Sequence, residues 1–204
     1  MEVDRVGSAS RAGAAGPGRR LRADAQRNVA ALLDAAKVVF ASDGVDVPAK
    51  QITDSAGVGV GTLYRHFPRR SDLIIAVLRQ EIDACIAAAG ELGRSHEAWE
   101  ALVLWIERFA DFVATKQGLA AALHSDDPAY DGLPEQLLDR LEPALDALLS
   151  RAVRERRARA GVGPREIMVS IALLSQSVAG EPPEFNRRMI GVYLDGLTVS
   201  RGEA

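Results

Sequence analysis

The sequence predicts an all-α fold: an N-terminal three-helix head built on a helix-turn-helix, followed by a longer helical body. Three observations carry this. Apolar residues recur three and four apart through most of the 204 residues, the period of a helix buried on one face. No stretch alternates apolar and polar residues for long, as a half-buried strand requires. Glycine and proline gather between the periodic runs, where helices start and stop.

Charge divides the chain the same way. Residues 1–70 hold 11 Lys and Arg against 7 Asp and Glu, a balance of +4, whereas residues 71–204 hold 14 against 21, a balance of −7. A basic head on an acidic body points to a polyanion met at one end only. The organisation expected is therefore a disordered basic arm over 1–22, a helix-turn-helix domain over 23–70 and a helical body over 71–204. The arm is rich in Gly, Ala, Ser and Arg without a period. Its Arg11, Arg19, Arg20 and Arg22 either reach DNA or belong to a solvated tail; the sequence leaves both open.

From Asp24 to Ser42, Val29, Leu33, Ala36 and Phe40 form the first apolar stripe, and Gly44 ends it. Pro48 suits the first turn of a helix running from Ala49 to Ala56. In Gln51–Phe67, QITDSAGVGVGTLYRHF, Ile52 and Ala56 share a face, Gly57 turns the chain, and Leu63 and Phe67 anchor a second short helix. Gly61, Thr62, Tyr64, Arg65 and His66 then point away from the core. Gly59 and Gly61 carry no bulky side chain, so backbone can come close to DNA. This is the pattern of a helix-turn-helix whose second helix enters the major groove. Pro68 stops that helix, Arg69 and Arg70 follow, and Ser71 is the expected cap of the next.

The body reads as further amphipathic helices. Ser71 to about Ala89 carries Leu73, Ile74, Val77, Leu78, Ile82 and Cys85 and is broken by Gly90 and Gly93. Ala98–Thr115 has the clearest stripe. A short helix is expected at Gly118–His124 and a loop at Ser125–Gly132. The stripe Leu137–Ala152 is split or kinked by Pro143. The basic run Arg151–Arg159 ends that helix, where cations offset its dipole. Ile167, Ile171, Leu174 and Val178 stripe the next. The last, from Pro183 to about Val199, is apolar over so wide an arc that a second subunit should cover part of it.

Chemistry is limited by what the chain lacks. Its single cysteine, Cys85, cannot form an internal disulfide and sits among apolar residues as a small hydrophobe. His66, His96 and His124 are far apart, without metal-ligand spacing. There is no nucleophile–base constellation and no GxxxxGK[ST] loop, so no enzyme and no cofactor are expected. No run is long enough to cross a bilayer, and the N-terminus lacks the apolar segment of a secretory signal; a cytoplasmic protein is expected. Trp99, Trp105, Phe109 and Phe112 read either as plain core or as the wall of a ligand pocket, with Tyr130, Met168 and Gln176 as further lining.

The stretch Gln26–Ala76, and within it GVGVGTLYRHFPRRSDL, resembles the tetracycline-repressor-type (TetR) family of bacterial transcription regulators. The resemblance implies a three-helix DNA-binding domain and an effector-binding body. It also implies a homodimer through the last two helices, which releases a palindromic operator when a small molecule binds. Position by position, Lys50 and Thr62 match sites that contact base or backbone. Tyr64 and His66 match phosphate contacts, and Arg70 stands where the family usually has a phosphate-gripping lysine. Gly59 replaces the more usual capping serine. Val60 and Gly61 offer no polar group, so base choice falls to Arg65, Lys50, Thr62 and DNA shape. The rival reading is a helical ligand-binding or interaction module that keeps the helix-turn-helix as scaffold. The basic outer face at Lys50, Arg65, Arg69 and Arg70 speaks against it, because a scaffold has no need of one.

Overall fold

The computed structural model describes residues 17–115 and 127–199. Its elements are α1 (Pro17–Asp43), α2 (Ala49–Ala56), α3 (Val60–His66), α4 (Arg70–Ser95), α5 (Ala98–Thr115), a 3-10 turn (Pro128–Tyr130), α6 (Leu133–Arg154), α7 (Pro164–Leu174) and α8 (Pro183–Leu197). Among the described residues β structure is confined to one antiparallel bridge, Ala158 to Thr198, which ties the end of α6 to the end of α8. The fold is all-α, as the periodicity requires.

The head packs α1, α2 and α3 around Leu32, Ala36, Phe40, Ile52, Leu63 and Phe67, all buried. Helix α4 closes this cluster with Leu73, Ile74 and Val77, then runs on into the body. There Ile82 and Cys85 meet α5 and α6, so one continuous core joins head and body. Burial pushes the Cys85 thiol up from its ordinary range. It stays a thiol at neutral pH and behaves as a packed apolar group.

Several boundaries differ from the sequence reading. Helix α1 begins at Pro17, not Asp24, so the arm's residues 17–22 are helical; residues 1–16 lie outside those described. Proline is at home in a first turn, and the Arg, Leu and Ala after it are good helix formers. Helix α4 passes through Gly90 and Gly93 to Ser95. A Cβ on Gly93 would stand 3.4 Å from Leu148 Cδ2, so this glycine serves the close approach of α4 to α6. Arg151 of α6 donates to the carbonyls of Gly93 (2.7 Å) and His96 (3.1 Å), satisfying acceptors at the end of α4 that no helical N–H reaches.

Helix α6 is likewise unbroken at Pro143. That proline is exposed, so water can take the carbonyl it leaves free. Helix α7 stops at Leu174 and leaves Val178 exposed. Asn186 of α8 donates to the carbonyls of Leu174 (2.5 Å) and Gln176 (2.6 Å), which closes the helix there. The expected helix at 118–124 lies outside the described residues. Ser71 does not cap α4: it is buried within the first turn, and Asp72 caps instead by accepting from the Arg69 backbone N–H at 2.9 Å.

Candidate nucleic-acid interface

The reading unit is set by its turn. Gly57 closes α2 at φ 66°, ψ 29°, a left-handed conformation open to glycine. Its N–H bonds the Asp54 carbonyl (3.3 Å) and the Val58 N–H bonds that of Thr53 (3.1 Å), the paired closure of a Schellman motif. Buried Thr53 returns its hydroxyl to the Lys50 carbonyl (3.1 Å). Gly59 then caps α3 in extended backbone, its carbonyl accepting from Thr62 N–H at 2.9 Å.

Leu63 and Phe67 bury one side of α3 and thereby fix what the other side presents. Tyr64 is 53% exposed, Arg65 and His66 are exposed and Thr62 is half-buried. A Cβ built on Gly61 would meet nothing, so packing within the chain does not demand glycine there. Gly61 and Arg65 lie in one row of the helix and Thr62 and His66 in the next. Tyr64 leans to the side of α2 and the start of α4, over a small hollow shared with Ala49, Ile52 and Arg70. His66 turns to the opposite side, toward Gln26 of α1 and Arg79 of α4.

The cations around this face are not equivalent. Lys50 pairs with Asp54 one turn on, at 2.6 Å, with both side chains exposed. Such a pair is worth at most about 1 kcal/mol, so a phosphate can displace it. Arg69 pairs with Asp72 at 2.8 Å; the guanidinium holds that carboxyl below its ordinary range, and the carboxylate raises Arg69 in turn. Arg70 donates to the Val47 carbonyl and lies 5.9 Å over the Phe40 ring. It therefore staples α4 to the α1–α2 connector, a role the sequence reading did not foresee.

The aromatic set does not gather around one space. Trp105, Phe109, Phe112 and Met168 are buried in the core, Trp105 stacked on Phe109 at 5.7 Å, and Trp99 is half-buried. Tyr130 sits instead at the start of α4, within electrostatic reach of Arg70 and Asp72, and Gln176 is at the surface. A cleft of about 380 Å³ opens on another face of α5, formed by Glu107, Ala110, Asp111 and Ala114 opposite Ile190 and Leu194 of α8. The spacing 107, 110, 111, 114 is one helical face and was legible in principle. Its two acids made it look like a solvated face.

A short, exposed, cation-flanked helix held by a glycine turn above a three-helix core is what the comparisons match. Residues 32–77 match the family model described as bacterial regulatory proteins, tetR family, and residues 97–199 match that of the transcriptional regulator SbtR-like C-terminal domain. The chain belongs to the TetR family. A TetR transcriptional regulator from Streptomyces coelicolor is similar in structure, with TM-score 0.72 and 30% identity over 84% of this chain and 99% of that one. The HTH-type transcriptional activator FasR of Mycolicibacterium smegmatis is 28% identical over 179 residues, 86% of this chain and 80% of its own. An HTH-type transcriptional regulator of Staphylococcus aureus (strain USA300) is 26% identical over 107 residues, 52% of this chain, which spans 58% of that relative's length. The chain is thus a DNA-binding transcriptional regulator of the TetR family. Among its described residues no helix is long and apolar enough to cross a membrane, and no His, Cys, Asp and Glu cluster is placed to hold a metal.

The glycine cap gives a small test of this family fold. Gly59 has φ −74° and ψ 146°, which serine adopts freely, and a Cβ there meets nothing. Gly59→Ser should therefore stabilise the head by about 0.3 kcal/mol. Thermal unfolding followed by circular dichroism should rise by roughly 1 °C; a fall would mean that the backbone at Gly59 is not as described.

Proposed function

We propose that this TetR-family regulator is a cytoplasmic homodimeric repressor that leaves a palindromic operator when a small molecule enters its body. One observation carries the DNA grip: α3 is pinned by Leu63 and Phe67, so it offers Tyr64, Arg65 and His66 outward beside an open Gly61. In this reading Arg65 and Thr62 face base edges. Lys50, Tyr64, His66 and the free N–H groups of Arg70 hold phosphates, and Gly61 lets the backbone approach. The effector enters the cleft between α5 and α8. Dimerisation uses the outer side of α7 and α8. Selection of duplexes from a random library by purified protein should enrich an inverted repeat with half-sites about 34 Å apart, or a multiple of that. A reporter behind that repeat should be silenced. Folded dimer that enriches nothing would defeat the proposal in favour of the ligand-binding module.

A charge variant checks the contact assignment. Lys50→Ala removes one exposed cation without touching the core. Operator affinity should fall for all sequences alike, and the slope of log K against log salt should flatten by about 0.9. Arg65→Ala should instead broaden the selected sequence. An unaltered salt slope in Lys50→Ala would remove that residue from the phosphate contacts.

A further inference from the structure

A groove of about 970 Å³ runs along the head between α1 and α4, beside the DNA-reading face and apart from the body's cleft. Two helical faces make it. Helix α4 contributes Asp72, Ile75, Ala76, Arg79, Gln80 and Asp83, spaced by three, one, three, one and three, so all lie on one side. Helix α1 faces them with Val29 and Leu33. The groove exists because Ala25, Ala30 and Ala76 are too short to fill the gap between the diverging helices. Its floor of Val29, Leu33, Ile75 and Ala76 is apolar yet only half-buried.

The rim decides what fits. Asp72 is committed to Arg69 and Asp83 to Arg140. Gln80 gives its amide nitrogen to Asp34 at 2.7 Å. Arg79 is exposed and forms no ion pair among the described residues. With the two carboxylates neutralised, the charge left on the rim is the Arg79 guanidinium, a planar fork suited to a carboxylate.

We propose that this groove is a second ligand site, which binds an amphipathic carboxylate with its apolar body on Val29, Leu33, Ile75 and Ala76 and its head group on Arg79. Its size falls in the range of small-molecule sites. An occupant would wedge α1 against α4 and cover His66, which lies on the same rim, and so oppose operator binding directly at the head rather than through the body.

Calorimetric titration of the full-length protein with dodecanoate, and with dodecyltrimethylammonium as the same chain with opposite charge, tests this. The wild type should prefer dodecanoate by about tenfold or more, the worth of one charged hydrogen-bonded pair. Arg79→Glu should reverse the preference. Ala30→Phe, at an exposed position, and Ala76→Phe should block both amphiphiles. Operator binding is measured separately, without amphiphile, in each variant. Failure of DNA binding therefore bears on the proposed repressor, and failure of amphiphile binding bears on this site. Equal affinity for the two head groups would overturn the proposal, as would undiminished dodecanoate binding in folded Ala30→Phe and Ala76→Phe, which would place the amphiphile elsewhere. A change of oligomeric state in those variants with amphiphile binding intact would also overturn it, and would make the groove an interface between copies.

Discussion

Trp105→Ala should cost about 3–5 kcal/mol of folding free energy, a large part of the roughly 5–15 kcal/mol that a native protein has. Trp105 has no solvent exposure, stacks nearly parallel on Phe109 (5.7 Å, 8°) and donates its indole N–H to the Cys85 carbonyl at 2.9 Å. The side chain therefore joins α5 to α4 twice, by apolar area and by a hydrogen bond. Truncation leaves a cavity in a core too tightly packed to collapse fully. Trp105→Phe separates the two contributions: it keeps a ring on Phe109, and the lost hydrogen bond alone is worth about 1 kcal/mol. Urea denaturation at fixed protein concentration, so that dimerisation does not move the midpoint, should show a large drop for Ala and a smaller one for Phe. Had Trp105 lined an empty effector pocket, as one reading of the sequence allows, truncation would be cheap and would change the effector response instead. A midpoint within the scatter of wild type would restore that reading.

The sequence made the head legible because its signals are local. Gly57 between two short apolar pairs leaves few other folds, and Leu63 with Phe67 settles which residues of α3 face outward. The body was legible as faces but not as neighbours. Periodicity places Trp105 and Met168 on apolar stripes, yet it cannot tell which stripe meets which. Tyr130 was grouped with them on side-chain type alone and lies at the start of α4. Gly93 looked like a break because a local reading counts its lost helix propensity, about 1 kcal/mol. It cannot count the close packing on Leu148 and the two carbonyl bonds from Arg151 that offset it. Arg70 was matched to a phosphate contact by position. Its bond to Val47 and its place over Phe40 belong to tertiary structure, which no spacing encodes.

Leu173→Glu combined with Val192→Glu should split the dimer and weaken operator binding about 10²–10⁴-fold, because each head would then hold its half-site without the effective concentration supplied by the other. The two residues sit on the outer sides of α7 and α8. Leu173 is 62% exposed and Val192 is 64% exposed, with Val169 beside them at 44%, whereas Ile171, Ile190 and Leu194 of the same helices are buried inward. Helix α8 thus carries apolar residues on two sides and its own core covers one. Large apolar residues left uncovered on adjacent helices mark an association surface. Two glutamates should prevent its burial, since an unpaired charge is costly to desolvate, while leaving the monomer's core untouched. Sedimentation and light scattering should report half the wild-type mass with unchanged helicity, and mobility shift should show the operator released. Intact dimer in the double variant would move the interface off α7 and α8. Monomer that still bound the full operator at wild-type affinity would mean that one head suffices, and the palindromic reading of the site would fall with it.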